Sequence, residues 1–194
     1  MSTIRDRSAQ AAETPADDPF RYGWRYVPRK QPDGKVEVEQ VPLALEDLLF
    51  PEEGDFVAQF PSHVSDCFYI HGVFKARLAG DPMALALTDC RVAWDAPGLR
   101  PLGPDVAVFF GASHDFDRGT LVVAREGARP ALVIEVTSPE TRKFDFGVKK
   151  DFYHRARVPL YIIVDARIRK GVRHVKLVGH RWTPRGYEPL PPDD

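Results

Sequence analysis

Cysteine is scarce in this chain: Cys67 and Cys90 are the only two in 194 residues. They stand far apart and form no Cys-x-x-Cys or Cys/His cluster, which excludes a disulfide framework and zinc-finger spacing and leaves two ordinary buried thiols. The six histidines are scattered, with no His-x-x-x-His pair, so zinc hydrolase chemistry is not expected. Surplus charge is missing as well. With 27 Lys and Arg against 28 Asp and Glu, the net charge is -1, so binding to nucleic acid would have to come from a local patch or from a dimer. No apolar run is long enough to span a bilayer, and the N-terminus lacks the charged-then-apolar pattern of a secretory signal. A cytoplasmic location and no membrane partner are the expectations.

What remains is a chain of ordinary globular composition, 43% hydrophobic, long enough to bury a substantial core. Residues 1–19 are polar and aperiodic, the mark of a disordered lead-in. Residues 20–41 read as a β-hairpin extension, with alternating apolar residues on either side of Pro32-Asp33-Gly34. Residues 42–194 read as the main domain. A short helix is expected over 42–50, and a longer one over 62–79 with Ser62 as its N-cap and Val64, Cys67, Phe68, Ile70, Val73, Phe74 and Leu78 on the core face. His63 and Asp66 start that helix and could share a site, or simply be capping or solvated groups. Strands are expected at 84–88, 91–94, 105–110, 120–124 and 131–136, together forming the central sheet. A helix over 145–157, a strand over 160–165 and two weaker strands at 172–178 and 185–190 follow.

The chemistry lies in the apolar strands. Leu132-Val133-Ile134-Glu135-Val136 carries one carboxylate in a run that reads as buried, where an ionised acid is costly unless paired, hydrogen-bonded or bound to metal. A second run, Asp105-Val106-Ala107-Val108-Phe109-Phe110, opens on an acid. If these strands are neighbours, Asp105 and Glu135 can converge on one ion, with the backbone carbonyl of Val136 as a third oxygen. Such a set suits Mg²⁺. In the following helix Lys149 and Tyr153 are four apart and share a face beside Val148, Phe152 and Ala156, which makes Lys149 the candidate amine above the acids.

Pro104-Asp105, then Val133-Ile134-Glu135-Val136-Thr137-Ser138-Pro139-Glu140-Thr141-Arg142-Lys143-Phe144-Asp145, Lys149, Tyr153 and the closing Val164-Asp165 resemble the Uma2 family of restriction-type endonucleases. The resemblance spans residues 105–165 firmly and the approach from Pro42 to His63 more loosely. It implies an α/β, restriction-endonuclease-like PD-(D/E)xK fold, a mixed central sheet flanked by helices, and it makes residues 42–194 a nuclease-like domain. It also implies metal-dependent hydrolysis of phosphodiesters: Asp105, Glu135 and Val136 on Mg²⁺ or Mn²⁺, with Asp105, Glu135 and Lys149 as the catalytic set. One position departs. Thr137 stands where the wider nuclease group has a lysine, and the resemblance implies that this family recruits the lysine from the next helix, which here is Lys149.

Each residue also has a plainer reading. Asp105 could close a turn, Glu135 could pair with an arginine, Lys149 could be solvated, Asp145 could cap its helix, and Tyr153 could be a packing residue. The basic run from Arg155 to Arg181 could track phosphates or guard strand edges. The reading that results is a DNA endonuclease, expected as a homodimer because one site per copy must cut two strands. A catalytically inactive nuclease-fold protein that binds nucleic acid or a protein partner is the alternative. A hydrolase of a smaller phosphate ester is a third.

Overall fold

The computed structural model describes residues 18–112 and 119–191. The lead-in expected over residues 1–19 falls outside them except for its last two positions. In chain order the elements are β1 (Gly23–Lys30), β2 (Val36–Pro42), α1 (Leu45–Leu49), β3 (Phe56–Val57), α2 (Pro61–Leu78), β4 (Ala84–Thr88), β5 (Arg91–Ala93), β6 (Val106–Phe110), β7 (Thr120–Val122), α3 (Val123–Glu126), β8 (Pro130–Val136), α4 (Arg142–Phe146), α5 (Val148–Arg155), β9 (Leu160–Arg169), β10 (Val172–Thr183) and β11 (Gly186–Pro189).

The hairpin forms where the alternation places it. β1 and β2 pair antiparallel from Trp24↔Pro42 to Lys30↔Val36. Gly34 takes a positive φ of 86° in the turn, while the Asp33 carboxylate accepts the Lys35 N–H at 3.0 Å. The two-residue β3, too short to show any periodicity, joins the other edge of β1. The join depends on Gly23, at φ 109°, because a Cβ there would lie 1.9 Å from the Phe56 carbonyl oxygen. Trp24 stacks on Phe56, and Arg25 ties the hairpin to α1 and the loop before β3 through Asp47 at 2.8 Å and Asp55 at 2.9 Å.

The central sheet runs β11-β10-β9-β8-β6-β4. Its β8–β9 pair is parallel and its other pairs are antiparallel. A parallel pair needs a crossover, and α4 with α5 supplies it. The alternation along β8 and β9 divides the core in two. Val133, Tyr161 and Ile163 pack with Ala107, Phe109, Phe152, Tyr153 and Ala156. Ile134, Val136 and Val164 pack on the opposite face with Val106 and Cys67, beside Ile70 and Phe74 of α2. One face is therefore covered by the crossover helices and the other by α2.

Several local expectations are corrected. β5 and β7 do not join the central sheet but form their own parallel pair, and the chain turns into α3 at Val123 instead of continuing as strand. Ser62 does not cap α2: Pro61 already occupies the first turn and Phe60 is the extended residue before it, consistent with proline's preset φ at a helix start. Phe68 is exposed rather than core. The helix expected over 145–157 is two helices, because Gly147 (φ -115°, ψ -102°) leaves the helical region between them. Asp145 is thus a buried residue inside α4, not an N-cap.

Candidate metal centre

The site grows from where the C-terminal end of β8 meets the middle of β9. Glu135 has no exposed surface and lies on the sheet face that α5 covers. Helical spacing puts Lys149 and Tyr153 one turn apart on the side of α5 that faces it. The Lys149 ammonium donates to Glu135 Oε2 at 2.9 Å, and the Tyr153 hydroxyl donates to Oε1 at 2.5 Å. Lys149 also lies 3.1 Å from Asp145 Oδ1, while neither Asp145 oxygen has a well-aligned hydrogen bond. The break at Gly147 lets α4 present Asp145 and α5 present Lys149 to the same place.

Burial alone would lower the Lys149 pKa, but the negative charges of Glu135, Asp145 and Asp105 outweigh it and hold the amine above its ordinary range. Burial pushes the Glu135 carboxyl up to about 8, against the pull of Lys149 and reinforced by Asp105 and Asp145. These shifts have one cause. Three carboxylates crowd a low-dielectric space with the Lys149 ammonium at its centre and the His63 imidazole on Asp105 at its edge, and the deepest acid gives way.

Asp105 enters from the start of β6. Its Oδ2 accepts the Val136 N–H at 2.7 Å, and its Oδ1 lies 3.3 Å from His63 Nε2. Val136 thus meets Asp105 through its N–H. The imidazole comes from α2, across the sheet from Lys149, and its Nε2 also lies 3.5 Å from Cys67 Sγ. Burial opposes protonation of His63, but hydrogen bonding to Asp105 and Cys67 carries its pKa up to about 11. Burial likewise works against the charged form of Asp105, yet His63 and Lys149 hold it below its usual value. The ligand atoms of His63, Cys67 and Asp105 all lie within 4.8 Å of one another, a cluster able to hold a metal ion. Sequence reasoning had set Cys67 aside. The signal was the His63-x-x-x-Cys67 spacing, one helical turn, which becomes meaningful only with Asp105 beside it. Asp66, by contrast, pairs with Arg173 of β10.

Thr137 and Asp165 form a neighbouring network. The Thr137 hydroxyl accepts the Ala166 N–H at 3.1 Å, and Arg142 and Arg167 reach Asp165 at 2.8 and 2.6 Å. Those two arginines hold the Asp165 carboxyl well below the usual range.

Asp105, His63, Cys67, Lys149, Ser138 and Glu140 line one cleft of about 860 Å³, whereas Glu135 is fully buried behind Lys149 and does not line it. The residues suit a divalent cation: negative charge exceeds the local positive charge, and the Asp145 oxygens lack aligned donors. Among the described residues no helix is long and apolar enough to cross a membrane.

A family model described as "Uma2: Putative restriction endonuclease" matches residues 53–193. No curated protein matches the chain. A crystal structure described as that of a "putative nuclease" from Anabaena variabilis is 14% identical, covering 81% of this chain and 73% of its own, with a TM-score of 0.46. The mixed sheet with helices on both faces and a hairpin ahead of it is the architecture expected from the motifs.

Proposed function

Because the chain belongs to the Uma2 family, we propose that it is a metal-dependent endonuclease that hydrolyses phosphodiester bonds in DNA. In this reading Asp105 and Glu135, with the Val136 carbonyl, hold Mg²⁺ or Mn²⁺. Bound there, the ion would supply Lewis-acid polarisation of a phosphoryl oxygen and a water of lowered pKa.

The observation that carries the reading is the position of Lys149, held between Glu135 and Asp145 on the cleft that Asp105 lines. There it orients or deprotonates the attacking water and offsets charge building on the phosphoryl oxygens. Tyr153 fixes the Glu135 rotamer through its hydroxyl. The role that a strand lysine would play at position 137 passes to the helix, leaving Thr137 to hold the register of β8 against β9. A homodimer follows from one cleft per chain and two strands per duplex.

Relaxation of a supercoiled plasmid with Mg²⁺ or Mn²⁺ tests this, with Glu135→Gln as control: nicking by the wild type and none by the variant supports it. A second reading, a catalytically inactive fold that binds nucleic acid, is favoured by the enclosure of Glu135, both of whose oxygens are already occupied. Salt-dependent DNA retention without nicking at any metal concentration, in folded protein, would select it.

A further inference from the structure

We propose that His63, Cys67 and Asp105 form a three-ligand site for a thiophilic divalent ion such as Zn²⁺, with its fourth position open to the cleft. The site is separate from the oxygen set assigned to Mg²⁺ or Mn²⁺, with which it shares only Asp105.

Geometry is the first support. Tetrahedral zinc with bonds of about 2.0–2.1 Å to nitrogen and oxygen and about 2.3 Å to sulfur requires N···O edges of about 3.3 Å and N···S edges of about 3.5 Å. The corresponding edges here are 3.3 Å from His63 Nε2 to Asp105 Oδ1 and 3.5 Å from His63 Nε2 to Cys67 Sγ. Two edges already have the lengths of a coordination face, and the third, from Asp105 to Cys67, is within 4.8 Å, so the ligands need only close around the ion.

Rigidity is the second. His63 and Cys67 are one turn apart on α2, and that helix packs Cys67 against Val106 and Val136. The other oxygen of Asp105 is anchored by the Val136 N–H, leaving Oδ1 directed at the imidazole. The three ligands thus come from two elements that the core holds in register.

Ligand chemistry is the third. A thiolate and an imidazole select zinc-like ions over Mg²⁺, which prefers oxygen and water. All three side chains line the cleft. Three protein ligands with one position facing solvent is the pattern of an exchangeable or reactive zinc rather than a closed structural one.

Cobalt(II) titration of the full chain, without nucleic acid, tests the site independently of hydrolysis. One equivalent should produce a near-ultraviolet sulfur-to-cobalt charge-transfer band and the intense visible bands of tetrahedral cobalt, both displaced by Zn²⁺. Cys67→Ser should lose the charge-transfer band, and His63→Gln should weaken Zn²⁺ binding by about tenfold or more. Cys90→Ser and Glu135→Gln should leave the spectrum intact, with folding checked by far-ultraviolet circular dichroism. Weak octahedral bands alone in the wild type, or a charge-transfer band that survives Cys67→Ser, would overturn the proposal. If Cys67→Ser does not fold, His63→Gln decides: unchanged affinity overturns the site.

Discussion

Two carboxylate clusters sit side by side where the C-terminal end of β8 meets the middle of β9, and their charge balance is opposite. Around Asp165, two arginines serve one acid. Around Lys149, Glu135 and Asp145 contact one ammonium while Asp105 adds its charge from the next strand. The first cluster is saturated: its acid is pulled below the ordinary range, and both its arginines are about a third exposed. The second sets three acids against two cationic groups, Lys149 and the His63 imidazole beside Asp105, is deeply buried, and its central acid is pushed up instead. Saturated clusters fasten elements together. A cluster with more acids than cations, opening on a cleft through Asp105 and Lys149, is where a cation from solution gains most.

The contrast can be broken most sharply at Lys149. Replacing it with Met should leave buried acids uncompensated and cost about 3–5 kcal/mol of unfolding free energy, read by urea denaturation. Adding Glu135→Gln to that variant should recover part of the loss. Next is activity: in plasmid nicking, Lys149→Met should lower the rate on the order of 10²–10³-fold, the range seen when a group that stabilises developing charge is removed.

At the saturated cluster, Asp165→Asn should cost about 1–3 kcal/mol. Because the folded state holds Asp165 below its ordinary value, its contribution is complete above the unfolded-state pKa of about 3.9. It fades as pH falls through the lower folded value. Urea midpoints of wild type and variant should therefore differ steadily near neutrality and converge below about pH 4. Smallest of all, Thr137→Val removes the hydroxyl that accepts the Ala166 N–H and should cost about 0.5–1.5 kcal/mol while leaving nicking unchanged.

What was legible in the sequence was local. A short apolar run identified β8, the two-residue period of a strand put Glu135 on one face, and helical spacing put Lys149 and Tyr153 on one face of the following helix, where they meet it. Hence the acid and its amine were paired before any fold was in view. What depended on distant partners was not legible. His63 meets Asp105 because α2 packs on the other side of the sheet, and Asp66 finds Arg173, 107 positions away. The break at Gly147 was hidden because the residues on either side keep helical spacing. The short β5 and β7 have strand-like composition, yet nothing in that composition says which sheet a strand joins.

The parallel β8–β9 pair has a consequence for how this chain tolerates change. Its crossover carries Asp145, Lys149 and Tyr153 in the same piece of chain that links Glu135 to Asp165. The amine is therefore delivered by a connection, whose path is fixed by topology, and not by a strand position, whose neighbours are fixed by hydrogen-bond pairing. Position 137 is then released from supplying the amine and keeps only its packing and register role, whereas a single-residue insertion between Val136 and Lys149 would rotate the whole crossover and carry Lys149 away from Glu135 while leaving the sheet whole.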